Sequence, residues 1–348
     1  MIKRTLLAAT AIVSLTLPVM AADAELTVMD WAGYEIEGFY ADYTAKHNNS
    51  PTYSLFASDD EAFQRAVSGF KADVVHPCST FVDKYREAGL IEPWDESKLT
   101  SVAQLDPNFL ASPSIKDDQG LWFLPFDWGA TAVAYNTNEV PAEDIASLNI
   151  FIDPKYQGRT SLPNSSEDVW ALAYLATGTT SWVSISDEQF DAAAEWLRKA
   201  HQNVRAYWND SAELSQLMAS GEVLVGWAWN DAVALLQDEG FPVGYQREAA
   251  EGSSTWFCGY VNMKNAPGNE DKAYDFVNSL LRADAAGVIV DELGVGHSNA
   301  TGMGVIPAET LATAGLGAAN APILAQVPKD PALHEKMLQT FENIKAGF

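Results

Sequence analysis

The sequence predicts an α/β protein of two lobes, each a mixed sheet flanked by helices, joined by strands that cross between the lobes. Short apolar strands alternate with amphipathic helices from the start of the chain, which is typical of parallel sheets covered by helices. About 325 residues follow an N-terminal leader, more than one hydrophobic core usually serves. A hydrophobic run passes through Pro125 and Gly129 and then resumes, so it is interpreted as a strand crossing from one lobe to the other.

Three strand and helix pairs are predicted near the start of the chain. In order they are "ELTVMDW" and "IEGFYADYTAKH", "PTYSLFAS" and "DDEAFQRAVSGF", and "ADVVHP" and "CSTFVDKYREAGL". Acidic residues suit the first turn of the second helix, and Gly89 is placed to end the third. Because ligands bind beyond the carboxyl ends of parallel strands, Trp31, Tyr34 and the "HPCST" turn are expected at one site.

Strands and helices continue beyond the crossing run "LWFLPFDWGATAVAYNTNEV". The segment "RTSLPNSSEDVWALAYLA" predicts a strand and then a helix capped by Ser165 or Ser166, with Asp168 in its first turn. Further helices are predicted for "DEQFDAAAEWLRKAH", "DKAYDFVNSLLRADAAGVIVDELG" and "PALHEKMLQTFENIKAG", and a helix, strand and helix for "ELSQLMASGEVLVGWAWNDAVALLQDEG". The strand "STWFCGYVNM" is interpreted as a return crossing. The first lobe would then comprise 22–130 plus 253–300, and the second 131–252 plus 301–348.

Residues 1–21 are predicted to be a secretory signal peptide. Lys3 and Arg4 precede an apolar run from Leu6 to Leu17, and residues 19–21 offer a small-residue cleavage pattern. The run is shorter than the roughly 20 residues that span a bilayer. The mature protein is therefore expected in the periplasm, without a membrane anchor.

The chain is strongly acidic, which argues against nucleic acid as a partner. Its formal charge is −26, and loss of Lys3 and Arg4 with the leader makes it −28. Phosphate contacts need clustered Lys and Arg. The acidity is interpreted as a solvation feature more than a ligand signal. Cys78 and Cys258 suggest a disulfide in an oxidising compartment, but the sequence leaves their pairing open.

Common catalytic and cofactor motifs are not found in the sequence. It contains no G-x-S-x-G elbow, no H-E-x-x-H, no P-loop and no G-x-G-x-x-G after a strand. The five His are scattered without ligand spacing, and no nucleophile and base can be recognised. We therefore expect a binding protein with no catalytic residues, metal or cofactor.

Aromatic residues mark a candidate binding site. Trp31 and Tyr34 follow the first strand, and Trp128 lies in the crossing run. Trp229 ends the strand in "VGWAWND", and Trp256 lies in the returning strand. Aromatic faces attract desolvated organic cations, by about 0.5 to 2 kcal/mol for each contact. The same rings could instead be core residues, and the sequence leaves that alternative open.

Three carboxylates accompany these rings. They are Asp127 beside Trp128, Asp168 at a helix start and Asp231 beside Trp229. A carboxylate next to an aromatic group would complete a cation site through a charge-assisted hydrogen bond. Asp168 and Asp231 could equally serve only their helix ends.

Six segments together are similar to one known family. They are "WAGYE", "ADVVHPCSTFVDKYREAGLIEPWDESKLT", "LPFDWGATAVAYN", "DPKYQGRTSLPNSSEDVW", "SGEVLVGWAWNDA" and "STWFCGYVNM". The mature chain resembles the spermidine/putrescine-type periplasmic binding proteins of ABC importers over essentially its whole length. The resemblance implies the two-lobed fold of type II periplasmic binding proteins, closing over a ligand. By position, the family's aromatic contacts fall on Trp31, Tyr34, Trp229 and Trp256, and one of its carboxylates falls on Asp168.

The resemblance also implies changed ligand contacts. A family hydroxyl falls on Cys78 with Ser79 beside it, a key carboxylate on Cys258, another on about Ser165, and a tyrosine near Val295, close to His297. Each unpaired donor of a buried ammonium costs about 1 to 3 kcal/mol or more. A site with rings but fewer carboxylates suits a trimethylammonium or dimethylsulfonium head, which has no N–H donor. The carboxylate of such a ligand could meet Ser79 or His297.

Two ligand classes follow for one function. We expect a monomeric periplasmic solute-binding protein that delivers a small organic cation to the membrane permease of an ABC importer. The first hypothesis is an onium zwitterion such as dimethylsulfoniopropionate or a betaine. The second is a polyamine such as putrescine or spermidine, with Asp127, Asp168 and Asp231 as acceptors. A sensory protein that docks to a receptor instead of a permease also stays open.

Overall fold

Most strands lie in one long mixed sheet, and two short ones form a separate hairpin. The computed structural model describes residues 22–348, so the predicted signal peptide lies outside the described residues. The strands are β1 Ala22–Trp31, β2 Ser50–Phe56, β3 Val74–Val75, β4 Ile91–Glu92, β5 Lys116–Asp117, β6 Gly120–Leu121, β7 Leu124–Asn136, β8 Thr160–Pro163, β9 Val204–Trp208, β10 Val225–Trp229, β11 Val243–Gln246, β12 Ser253–Met263, β13 Gly296–His297 and β14 Ile323–Ala325.

Helices cover the sheet on both sides of its middle strands. They are α1 Ala41–His47, α2 Asp59–Val67, α3 Val82–Glu87, α4 Ser166–Ala176, α5 Asp187–His201, α6 Ser211–Ala219, α7 Asn230–Asp238, α8 Glu270–Leu280, α9 Ala285–Leu293, α10 Ala300–Met303, α11 Ala308–Thr313 and α12 Pro331–Lys345. None of the helices between residues 22 and 348 is long and apolar enough to cross a bilayer.

The strands β7 and β12 form the middle of the sheet. The strand order is β2-β1-β3-β12-β7-β10-β8-β9. On one side β1 runs parallel to β2 and β3, and on the other β8 runs parallel to β9 and β10. β12 pairs antiparallel with β7 from Ser254 to Tyr260, and β7 continues antiparallel to β10 from Thr131 to Tyr135. These two strands cross between two parallel half-sheets, each with its own helices.

Separate hydrophobic cores lie on the two sides of the crossing strands. One gathers buried residues from Leu26 to Phe126 and from Phe257 to Leu316. The other runs from Ala132 to Ala249 and from Leu324 to Ile344, with a smaller cluster around Trp208. The two-lobed α/β architecture is the one that the sequence predicts. The predicted domain boundaries stay a prediction.

Several helix ends follow their sequence signals. The Ser165 hydroxyl accepts the backbone N–H of Asp168 at the start of α4. Ser186 and Gln189 form a reciprocal capping box at the start of α5. Gly89 follows α3 with φ 65°, a conformation that glycine adopts without a steric penalty.

Several elements differ from the prediction, among them the following three. The first predicted helix is a 3-10 turn, Glu37–Tyr40, followed by α1. β3 is confined to Val74–Val75, because Pro77 has no N–H to extend the ladder. The helix predicted over 271–294 is broken between α8 and α9. Side chains of His297 and Asn299 take the carbonyls of Leu280 and Leu281, at 2.9 Å each, in place of the next helical N–H groups.

Candidate functional site

Trp31 and Tyr34 lie where β1 ends. The Trp31 indole Nε1 donates to the backbone oxygen of His76 at 2.9 Å, and the ring centroids of Trp31 and Phe56 are 4.6 Å apart. The Tyr34 hydroxyl donates to Asp127 Oδ2 at 2.5 Å. Both aromatic side chains remain partly exposed. The end of β1 therefore presents two rings at the edge where the sequence predicts a site.

A buried ionic chain lies under Tyr34. His76 Nδ1 is 2.6 Å from Asp30 Oδ1, and its Nε2 is 3.1 Å from Asp127 Oδ1. The Tyr260 hydroxyl donates to Asp30 Oδ2 at 2.8 Å. Burial alone would lower the pKa of His76, but the two carboxylates outweigh it and raise this pKa to about 10. His76 is therefore a buried cation at neutral pH.

Asp168 opens α4 and accepts hydrogen bonds from three side chains. The donors are Thr131 Oγ1 at 3.0 Å, Gln326 Nε2 at 2.9 Å and Trp229 Nε1 at 3.1 Å. Burial raises the pKa of Asp168, while these hydrogen bonds oppose the rise. Asp168 also accepts Trp227 Nε1 at its backbone oxygen, at 3.1 Å. Its role in the structure is to hold Trp229 and Trp227 against the start of α4.

Asp231 has a carboxylate oxygen without a hydrogen-bond partner in the described part of the chain. Its Oδ2 accepts the Ser211 hydroxyl at 2.6 Å, whereas Oδ1 is buried and has no hydrogen-bond partner among residues 22–348. Burial raises the pKa of Asp231 to about 6, against the effects of the Ser211 hydroxyl and of the backbone N–H groups of Ala232 and Asp231, and the charge of Asp127 adds slightly to the rise. The charge of Asp231 contributes in turn to the raised pKa of Tyr34, after burial and Asp127. The charges of Asp127 and Asp231 thus both act on Tyr34.

Two glycines in the sheet allow two tryptophan rings to lie against the backbone. A Cβ at Gly129 would lie 2.3 Å from Cζ2 of Trp256, and a Cβ at Gly296 would lie 2.3 Å from Cε2 of Trp128. Trp128 Nε1 donates to the backbone oxygen of His297 at 3.1 Å. Trp256 Nε1 is buried and has no hydrogen-bond partner within the described chain. Both rings can lie this close to the backbone only because glycine has no side chain at these positions.

Ser79 and His297 are buried and already hydrogen-bonded within the chain, and their predicted ligand contacts stay a prediction. The Ser79 hydroxyl donates to the backbone oxygen of Gln326 at 3.0 Å. His297 donates from Nε2 to Leu280 and accepts the Asn299 N–H at Nδ1, at 2.9 and 2.8 Å. Burial lowers the pKa of His297 to about 4, so the ring is neutral at neutral pH and offers no positive charge to an anion.

Cys78 and Cys258 form a disulfide, which decides the pairing that the sequence leaves open. Cys258 lies opposite Asp127 in the ladder between β12 and β7. The Cys78 N–H donates to Asp59 Oδ1 at 2.9 Å. Burial raises the pKa of Asp59 to about 7, against the effect of this hydrogen bond. The sulfur atoms occupy the two positions where the resemblance implies a hydroxyl and a carboxylate.

Three contributors to this region, Asp30, Thr131 and Gln326, were not predicted as site residues. His76 lies in the "HPCST" turn that was expected at the site, but no role was predicted for its side chain. Asp30 and His76 follow the paired residues Met29 and Val75 of parallel strands, so their matching positions at two strand ends were the available signal. Gln326 follows β14, which pairs with β12. No local sequence pattern predicts this pairing.

Comparison with known proteins gives the family. A family model described as bacterial extracellular solute-binding protein matches residues 39–289. The chain belongs to this family. This solute-binding protein is 29% identical to the spermidine/putrescine-binding periplasmic protein of Escherichia coli K12, over 84% of this chain and 82% of the relative. It is 24% identical to the putrescine-binding periplasmic protein PotF of the same strain, over 98% and 97%.

Solved structures confirm the fold of the solute-binding protein. The substrate-binding protein PotD from Streptococcus pneumoniae matches with a TM-score of 0.71 and 20% identity, over 94% of this chain and 99% of that one. The binding protein MotA from Agrobacterium tumefaciens B6, in complex with glucopine, matches with a TM-score of 0.75 and 19% identity, over 92% and 99%. The predicted type II periplasmic binding protein fold is confirmed.

Proposed function

We propose that this solute-binding protein captures a small organic cation in the periplasm and delivers it to the permease of an ABC importer. A polyamine or a related primary amine is the first candidate ligand. The curated relatives described above are named for spermidine and putrescine binding, which supports this class. The order of the two ligand classes is therefore the reverse of that favoured by the sequence.

Asp231 Oδ1 is the observation that carries the amine proposal. A primary ammonium has three N–H donors, and each donor needs an acceptor when water is excluded. Asp231 supplies a buried acceptor without a donor among the described residues, two residues after Trp229, and its charge contributes to the raised pKa of Tyr34. An ammonium here would form a charge-assisted hydrogen bond next to aromatic rings. It would also offset the burial that raises the pKa of Asp231.

An onium zwitterion is the second candidate, and Trp256 favours it. Trp256 Nε1 is a buried donor without an acceptor in the described chain, and a ligand carboxylate would satisfy it. The disulfide adds to this view, because Cys258 supplies no acceptor where the resemblance implies a carboxylate. A methylated head has no N–H donor and needs only ring faces and a nearby negative charge.

The test is titration calorimetry of ligand-stripped residues 22–348 with putrescine, spermidine, choline, glycine betaine and dimethylsulfoniopropionate. For an amine ligand, we expect Asp231→Asn to weaken binding by about 10- to 100-fold, since a hydrogen bond to a charged group contributes about 1.5 to 3 kcal/mol. Asp238→Asn is the matched control, because Asp238 is exposed at the other end of α7.

Each outcome separates the two ligand classes. Tight binding of putrescine or spermidine that depends on Asp231 supports the polyamine class. Binding restricted to the methylated compounds, with Asp231→Asn near wild type, replaces it with the onium class. A protein that binds none of the five compounds contradicts the organic-cation proposal as a whole.

A further inference from the structure

Asp30, His76 and Asp127, named here the charge triad, come from three neighbouring strands. Asp30 is the second-last residue of β1, His76 directly follows β3, and Asp127 lies in β7. The ring nitrogens of His76 lie 2.6 Å from Asp30 and 3.1 Å from Asp127. The three side chains are at most 1% exposed. One imidazole is thus enclosed between two carboxylates away from water.

The geometry and the raised pKa of His76 together indicate the charge of the triad. Each His76 nitrogen faces a carboxylate oxygen, so a doubly protonated ring can donate one hydrogen bond from each nitrogen. An imidazole with two N–H groups is a cation. Two carboxylates and one imidazolium leave a single negative charge, which is screened less when buried than at the surface. The raised pKa of His76, about 10, agrees with this count.

The hydrogen-bond chain of the triad ends at Tyr34. Asp127 Oδ2 accepts the Tyr34 hydroxyl at 2.5 Å, and Asp30 Oδ2 accepts the Tyr260 hydroxyl at 2.8 Å. Tyr260 is buried, whereas Tyr34 is partly exposed. All four carboxylate oxygens of the triad therefore accept a hydrogen bond. Among the residues joined by these hydrogen bonds, Tyr34 is the one at the candidate ligand site.

We propose that the charge triad determines the charge class of the ligand, and that Asp127 acts as a positioning residue through Tyr34 instead of touching the ligand. This inference rests on the proposed function and assigns its preference for cations to particular residues. Ionised Asp127 orients the Tyr34 hydroxyl and polarises its O–H bond. The face of the Tyr34 ring then becomes more negative and attracts a cation more strongly. The buried negative charge favours a cation over a neutral molecule of the same shape.

The ionisable groups around the triad keep a constant charge near pH 8, which makes that pH suitable for the test. Tyr34, Tyr53 and Tyr260 have pKa values raised mainly by burial, so their hydroxyls stay neutral. Burial lowers the pKa of His297 to about 4, so this ring is neutral too. Burial raises the pKa of Asp59 to about 7 and that of Asp231 to about 6, and both are largely ionised at this pH.

A double-mutant cycle tests the inference, with putrescine and choline as probes. Asp127→Asn, Tyr34→Phe and the double variant are titrated by calorimetry near pH 8. We expect Asp127→Asn to weaken binding of whichever cation the wild type binds by about tenfold or more, since the Tyr34 hydroxyl loses the charged acceptor that orients it. The double variant should be little weaker than either single variant, because Asp127 acts through Tyr34. Asp118→Asn removes the same charge from an exposed residue and should bind as the wild type does.

Nitrogen-resolved NMR of the His76 ring gives a second readout that needs no ligand. The wild-type ring should stay an imidazolium up to about pH 9, and Asp127→Asn should lower its pKa because one carboxylate is lost. A neutral ring at neutral pH overturns the charge count. Additive effects, or an unchanged affinity in Asp127→Asn, overturn the role of the triad and leave the proposed function standing. A wild-type protein that binds neither probe overturns this inference together with the amine and choline-like ligands.

Discussion

Asp168 accepts more hydrogen bonds than its position at a helix start requires. Its carboxylate serves Thr131, Gln326 and Trp229, which come from three separate parts of the chain. Asp168→Asn leaves one acceptor oxygen for three donors, so at least one buried donor loses its partner. We expect the free energy of unfolding to fall by about 1 to 3 kcal/mol, measured by urea denaturation.

Asp191→Asn is the control for this prediction, because Asp191 is an exposed residue of α5. It should change the free energy of unfolding by no more than about 0.5 kcal/mol. An Asp168→Asn protein as stable as the wild type would show that the three donors find other acceptors.

His297 provides a stability effect that depends on pH. Burial lowers its pKa to about 4, so the folded protein keeps this ring neutral while the unfolded chain protonates it below about pH 6.5. The stabilising contribution is complete above about pH 6.5 and is lost as the pH falls toward 4. We expect the stability advantage of the wild type over His297→Gln to shrink by about 3 kcal/mol between pH 7 and pH 4. Urea denaturation at several pH values measures it, and a constant difference would contradict the buried neutral ring.

Residues of the site differ in how far the sequence reveals them. Trp31 and Tyr34 were predictable because they follow an apolar strand directly, and ligand sites lie at such strand ends. His76 lies in the turn that was expected at the site, but its side chain was treated only as one of five scattered histidines. The sequence alone does not pair Asp30 with His76, because their contact depends on the register between β1 and β3. The contacts of Gln326 depend on the pairing of β14 with β12, whose paired residues are about 70 positions apart in the sequence.

At the scale of elements, the crossing strands owe their close ring packing to glycine. Gly129 in β7 lies under Trp256, and its φ is not in the left-handed region, so alanine there meets only a steric conflict. We expect Gly129→Ala to move the Trp256 ring and weaken ligand binding by about tenfold or more, with about 1 to 3 kcal/mol lost in stability. Calorimetry with the best ligand and near-ultraviolet circular dichroism measure both effects.

Gly287→Ala is the matched control for this variant. Gly287 lies within α9, and a Cβ there meets nothing within 4 Å. The substitution should leave affinity unchanged and raise stability slightly, because alanine favours a helix over glycine by about 1 kcal/mol. Equal ligand affinity of the two glycine variants would mean that the packing of Trp256 on Gly129 does not contribute to ligand binding.

Elements were predictable where the signal is local. The bounds of α5 follow from its capping box and its amphipathic period, and those of β12 follow from a run of apolar residues. The break between α8 and α9 was not predictable, because its cause is the side chain of His297 binding a carbonyl at the end of α8. Tertiary contacts of this kind override a continuous helical pattern.

At the scale of the whole molecule, the disulfide closes a long loop. Cys78 and Cys258 are 180 residues apart in sequence. We expect the paired substitution Cys78→Ala and Cys258→Ala to lower the free energy of unfolding by about 2 to 4 kcal/mol. Urea denaturation of the oxidised wild type, the reduced wild type and the variant measures this loss. Equal midpoints for all three would show that the disulfide adds no stability.

Charged contacts also join the two sides of the molecule. His334 in α12 lies 2.7 Å from Glu167 in α4 and 3.8 Å from Asp60 in α2. Burial lowers the pKa of His334, but the two carboxylates outweigh it and raise this pKa above its usual value. Its stabilising contribution is therefore complete below about pH 6.5 and is lost as the pH rises through the raised value.

His334→Gln tests this pH dependence. We expect the wild type to be more stable than the variant at about pH 6 and the difference to become smaller toward about pH 9. Urea denaturation of both proteins at each pH measures the difference. A gap that widens with pH would mean that the neutral ring is the form held between α4 and α2.

The covalent link at Cys78 makes the two sides of the candidate site unequal. It ties the turn after β3 to β12, so we expect the first-lobe side of the site and one crossing strand to move as a single body. Trp229 and Asp231 belong to elements outside that body. We therefore expect this body to hold one charged end of the proposed ligand in a fixed position. The distance that the second lobe moves on closing should then depend on the length of the ligand. Molecules of equal head group and different chain length should then differ in how far the protein closes, more than in how they sit against Tyr34.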